Sequence, residues 1–144
     1  MNFTDFVTHH GKRVNKDYFI SLIQVSKTDG KIAPGEMEML LKEGKKFGLT
    51  DPEIENLIQS EGTHSYHAPY SLQDKFEHLY NVAVMILADD VVTESEKKLL
   101  KKFAIEAGFA DKAIDSLVDL LLDGIKEDKS EDSLLSEFKK ELFK

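Results

Sequence analysis

The sequence predicts an all-α domain of about seven helices, on three observations. Apolar residues recur at helical spacing in segment after segment, and no stretch alternates with period two for long enough to make a convincing strand. Capping signals and glycines punctuate those segments where helix ends are expected. The chain also repeats itself at an offset of 60 residues without a gap, each copy carrying the same order of helix signals.

Taken in order, residues 1–14 are ambiguous, with one short helix expected through Phe3, Phe6 and Val7. Tyr18, Phe19, Leu22, Ile23 and Ser26 form the first clear stripe, and Met37, Leu40, Leu41, Gly44, Phe47 and Gly48 the second. Pro34 suits a first helical residue, because the N–H it lacks is unpaired there anyway. Thr50-Asp51-Pro52-Glu53 offers a cap, a first-position proline and an acid for a third helix. The aperiodic segment Glu61 to Tyr70 reads as the main loop. Ser71 with Asp74 opens a segment in which Phe76, Leu79, Tyr80, Ala83, Ile86 and Leu87 form a stripe and Val82, Val84 and Met85 are apolar as well. A helix apolar nearly all round is a central, covered one. Thr93-Glu94-Ser95-Glu96 is a capping-box pattern, followed by Leu99, Leu100, Phe103, Ala104 and Ala107. Ile114, Leu117, Val118, Leu121 and Leu122 make the next stripe, and Leu134, Leu135, Phe138 and Leu142 the last. Gly48 and Gly108 fall just past apolar stripes, where a left-handed residue ends a helix.

Between residues 17–58 and 77–118 the repeat has eight identities: Asp29/Asp89, Glu36/Glu96, Leu40/Leu100, Lys42/Lys102, Gly48/Gly108, Asp51/Asp111, Ile54/Ile114 and Leu57/Leu117. A unit that cannot bury its own apolar face stacks on another. The expected organisation is therefore one domain over 1–144: half-repeats at about 15–60 and 75–124, related by pseudo-twofold symmetry, and a closing helix at about 130–143.

Composition narrows the function classes. The 144 residues fit one domain at ~150 residues per domain. Zero cysteine removes disulfides, zinc–thiolate sites and thiol catalysis. A net charge of −8 argues against nucleic acid as partner. The first six residues lack the basic and apolar regions of a signal peptide, and the longest uncharged apolar run, Val82–Ala88, is far shorter than the ~20 residues of a membrane span. A cytoplasmic protein is the expectation. No nucleophile elbow, phosphate-cradling glycine loop, dinucleotide fingerprint or His-Glu-x-x-His is present, so a non-enzyme is expected; an enzyme with a carboxylate site would need a deep pocket lined by acids.

The acidic loops stand out. Asp29-Gly30-Lys31-Ile32 followed by Glu36 matches the second half of a calcium-binding EF-hand loop, but Val25 and Lys27 occupy the earlier ligand positions and cannot coordinate calcium. The second copy has Met85 and Leu87 there, with Asp90 in place of the glycine. An EF-hand is excluded, which leaves a short acidic loop feeding a helix start, made twice.

Thr28-Asp29-Gly30-Lys31-Ile32 with Glu36 and then Phe47-Gly48-Leu49, and again Ala88-Asp89-Asp90-Val91-Val92 with Glu94 and Glu96 and then Ala107-Gly108-Phe109, resemble the TerB-like family over residues 15–124. That family includes tellurite-resistance proteins and the N-terminal part of a membrane-linked co-chaperone. The resemblance implies an all-helical fold of two related halves, association with stress and membrane-linked complexes, and metal binding by acids of the loops; a non-catalytic interaction or sensing module in a stress-response assembly is the expected function. The chain has no J-domain and no His-Pro-Asp tripeptide, so chaperone stimulation does not carry over, and Asp90 departs from the loop pattern.

Two readings of the acids follow. Asp29, Glu36, Asp89, Asp90 and Glu96, with Glu94 beside them, would hold a calcium or magnesium ion if the halves bring the loops together. Alternatively they cap helix N-termini, which explains their positions without a cation. Lys97, Lys98, Lys101 and Lys102 form a basic stripe on which an acidic protein partner or a membrane surface would dock, or else an ordinary solvated face. His64-x-x-His67, His9 and His10 read as mobile polar positions, and His78 as a boundary histidine on the central helix.

Overall fold

The structure, a computed structural model, describes residues 6–7, 13–14, 16–26, 34–61, 66–89 and 92–142. Among these are seven α-helices: α1 (Lys16–Ser26), α2 (Pro34–Lys45), α3 (Asp51–Glu61), α4 (Leu72–Ile86), α5 (Glu94–Glu106), α6 (Asp111–Lys126) and α7 (Glu131–Leu142). One 3-10 turn, Leu87–Asp89, follows α4. Phe6–Val7 pairs antiparallel with Arg13–Val14 as a two-residue ribbon, where the sequence suggested a short helix. Arg13–Val14 also lies against α4. Two pairing residues on each side suffice for this, and such a segment is too short to carry a readable period.

The 60-residue offset holds at the level of helix ends. α1 and α4 stop at Ser26 and Ile86, α2 and α5 start at Pro34 and Glu94, and α3 and α6 start at Asp51 and Asp111. Gly48 and Gly108 occupy matching turns with φ of 81° and 96°, the left-handed region that a Cβ disfavours. Burial repeats as well. Phe19, Leu22, Ile23, Val25, Met39, Leu40, Phe47, Leu49, Ile54 and Leu57 are buried, and so is every residue 60 positions later.

Caps explain the boundaries. Thr93 Oγ1 accepts from the Glu96 N–H at 3.1 Å while the Thr93 N–H donates to Glu96 Oε1 at 3.0 Å, a complete capping box. Thr50 and Glu53 make the same reciprocal pair, which places Pro52 at the second helical position rather than the first. Ser71 caps α4 through the Asp74 N–H, and Ser130 caps α7 through the Ser133 N–H. The equivalent of Thr50 in the second half is Ala110, which makes no side-chain cap.

α4 is the central helix: Phe76, Leu79, Tyr80 and all of Val82–Leu87 are buried. It packs against α1, α5, α6 and α7, while α1 also meets α2, α3 and α5. α7 closes the core through Phe138, whose ring stacks on Phe76 at 5.9 Å and meets Phe109 edge-on at 5.7 Å. No helix among the described residues is long and apolar enough to cross a membrane.

On α2 the buried face is rotated from the one the sequence suggested. Met39, Leu40, Glu43 and Gly44 are buried, whereas Met37 and Leu41 are half-buried. Gly44 lets α2 approach its neighbours: a Cβ there would lie 2.6 Å from Ile54 Cδ1 and 2.9 Å from Phe19 Cζ. Gly44→Ala gains ~1 kcal/mol of helix propensity but overpacks this contact by ~1–3 kcal/mol. A lower melting temperature is expected, and an unchanged or raised one would show that the core yields at this point.

Candidate functional site: the seam between the two half-repeats

α2 and α5 pack directly on one another. Two ion pairs cross their seam. Lys42 Nζ donates to Glu96 Oε1 at 3.0 Å, and Lys102 Nζ donates to Glu36 Oε1 at 3.2 Å. Lys42 and Lys102 are repeat equivalents, as are Glu36 and Glu96, so a shift of 60 residues turns one bridge into the other. Residue i meeting j while j's counterpart meets i's is the signature of a twofold contact. Two of the eight identities in the repeat are thereby explained by one interaction made twice.

The same lysine-rich turns cap helix C-termini. Lys102 Nζ donates to the Ser26 carbonyl at 3.1 Å, at the end of α1. Lys46 Nζ donates to the carbonyls of Met85 at 2.8 Å and Ile86 at 3.3 Å, at the end of α4. Ammonium groups there satisfy orphan carbonyls and oppose the negative end of the helix dipole.

The first half departs from the second at one buried position. Glu43 stands where the second half has Phe103, and both are fully buried. Lys46 Nζ lies 2.6 Å from Glu43 Oε2, out of line for a hydrogen bond. Apart from that ion pair, the Glu43 carboxyl oxygens and Glu96 Oε2 have no hydrogen bond. Two buried carboxyls so close to one another favour the neutral form of one of them. Burial, and then the Glu96 carboxylate, push Glu43 up to about 8, against the pull of Lys46. For Glu96 burial also acts upward, but the neighbouring Glu43 carboxyl, the Thr93 N–H and Lys42 outweigh it and hold the group down at about 2. The sequence carried a signal for Glu43: it lies three residues after Leu40 and four before Phe47, on the apolar face.

These readings place most of the residues singled out in the sequence. Glu36 and Glu96 lie at the seam, each turned to a lysine, so a calcium or magnesium ion on both would have to displace Lys102 and Lys42. Asp29 and Asp90 lie outside the described residues, as do His9, His10 and His64, and Asp89 ends the 3-10 turn. Glu94 is exposed in the first turn of α5. Among the described residues no group of three His, Asp or Glu side chains is placed to hold a metal ion. His67 is exposed, and His78 is half-buried with Tyr66 Oη 3.3 Å from its Nδ1 and the Tyr18 ring edge-on at 5.5 Å.

The basic stripe divides in two. Lys97 and Lys101 turn to α6, pairing with Asp119 at 3.1 Å and Asp115 at 2.9 Å. Lys98 and Lys102, one residue further round, turn to the α2 side, where they line a cavity of about 360 Å³ with Gly35, Glu36, Met39, Ser95 and Leu99. Gly35 and Ser95 are repeat equivalents, and so are Met39 and Leu99, so the cavity straddles the pseudo-twofold axis. A second cavity of about 270 Å³ is lined by Asp17, Tyr18, Ser21 and His78. Tyr18 Oη donates to Glu77 Oε1 at 3.3 Å, and burial together with Glu77 pushes this phenol up to about 12, so it stays a donor at neutral pH.

Compared with models of protein families, with curated proteins and with solved structures, the chain matches none.

The Glu43–Glu96 pair fixes a pH dependence. Glu43 binds a proton in the fold that the unfolded chain releases above about 4.5, so its contribution falls as pH rises from there toward about 8. Glu96 is held below its ordinary value, so its contribution is lost as pH falls from about 4.5 toward about 2. The pair therefore favours the fold most near pH 4.5. In Glu43→Gln the first slope should vanish. Urea midpoints of wild type and variant, measured across that range, check this; parallel curves would contradict the upward shift of Glu43.

Proposed function

We propose that the protein is a non-catalytic, helical interaction module of TerB-like build, working in the cytoplasm within a stress-response assembly. The observation that carries this reading is the cavity on the pseudo-twofold axis, formed where the first turns of α2 and α5 meet. It lies on the two helix starts fed by the acidic loops, which are the segments on which the TerB-like resemblance rests. Its floor is apolar and its rim polar, the composition of a contact surface. A non-catalytic role is supported by the enclosure of the perturbed carboxyls: Glu43 and Glu96 are fully buried and neither lines the cavity, so no substrate atom reaches them. The membership of a stress-response assembly rests on the resemblance over residues 15–124 alone.

The test is site-specific photocrosslinking in the native cell. A Cβ at Gly35 meets nothing within 4 Å, so a compact photoreactive side chain, a diazirine analogue of leucine, is placed there. A discrete protein adduct is expected from position 35 and not from exposed Asp123 on α6. Ser95→Trp, which plugs the cavity, should abolish it. No adduct at position 35, or equal adducts at both positions, would overturn the reading.

A further inference from the structure

The cavity at the seam has a chemistry that selects its occupant. Met39 and Leu99 supply an apolar floor, and Gly35 and Ser95 flank it with small side chains that allow a close approach. Of the three charged residues lining it among the described ones, Glu36 and Lys102 neutralise one another. Lys98 is exposed and has no ion-pair partner among the described residues. The repeat counterpart of Lys98 on α2 is Glu38, which is exposed and does not line the cavity. The α5 rim is therefore positive in a chain of net charge −8. An occupant with an apolar group and a nearby anion complements both features.

Size favours a peptide over a lipid. Among the described residues the lining offers two apolar side chains, Met39 and Leu99, beside the Glu36–Lys102 ion pair. Two apolar neighbours suffice for a leucine-sized side chain, whereas a long acyl chain would extend onto the polar lining and desolvate the ion pair. Resting on the interaction-module reading, we propose that the seam docks an acidic amphipathic peptide segment of a partner protein, an apolar side chain seated on Met39 and Leu99 and an Asp or Glu carboxylate on Lys98.

The probes are fluorescein-labelled synthetic helical peptides bearing leucine with glutamate one turn away, the same peptides with lysine for glutamate, and dodecanoate. Fluorescence polarisation and the backbone amide shifts of Gly35, Ser95 and Leu99 report binding. Saturable binding is expected for the acidic peptides and not for the basic ones. Lys98→Glu should weaken it about fivefold, the scale of an exposed ion pair, and reverse the preference toward the lysine peptides. Equal binding of acidic and basic peptides, no effect of Lys98→Glu, or movement of these amides by dodecanoate alone would overturn the proposal. Crosslinking from position 35 separates the two levels. An adduct there that survives Lys98→Glu sinks the acidic peptide but leaves the interaction module; no adduct removes both.

Discussion

The crossed lysine–glutamate bridges between α2 and α5 are the constraint on which the rest of the fold turns. Each is part-buried, and Glu96 is fully so. An exposed pair of this kind contributes ~0–1 kcal/mol, but a buried carboxylate stripped of its partner costs several. The bridges therefore act less as glue than as a register pin. If α5 slid along α2 by a turn, Glu96 would be stranded in the core and Ser26 would lose a donor to its carbonyl. With the seam pinned, α1 and α4 end on Lys102 and Lys46, and the apolar faces of both halves close into one core.

The two halves differ where the chain carries its chemistry. Thr93 gives α5 a hydroxyl cap where the first half has Ala33, and this draws the Glu96 side chain back to the start of its own helix. Glu43 puts a carboxyl where the second half has the phenyl ring of Phe103, and burial beside Glu96 pushes it up to about 8. Lys98 replaces the acid Glu38, making one rim of the seam positive. Two identical halves would make a symmetric seam. The differences at 38/98 and 43/103 make it asymmetric.

Much of this could be read from residue order alone. Helix starts at Pro34, Asp51 and Glu94 and the turns at Gly48 and Gly108 follow from local backbone chemistry, which needs no tertiary information. The repeat predicted equivalence of the halves, and burial matches it at position after position. The ribbon at Phe6–Val7 was not legible, because two-residue pairing depends on what the segment meets and not on its own period. Nor was the orientation of α2: Met37 and Leu41 suit an apolar stripe better than Met39 and Glu43 do, and only the neighbours that α2 meets turn the second pair inward.

The sequence by itself determined the class, the helix boundaries and the twofold kinship of the halves, since these rest on periods, caps and identities that lie within one segment or compare two. The tertiary structure decided what the repeated charges are for. Glu36 and Glu96 suit a helix cap, a cation site or an ion pair equally well as residues in a row. The ion pairs depend on the ammonium that a distant helix delivers, a lysine from the opposite half for both acids, and Glu96 adds its pair to the cap it makes locally. The basic stripe was likewise one feature in sequence and two in space, because a helix turns Lys97 and Lys101 toward α6 and Lys98 and Lys102 toward the seam.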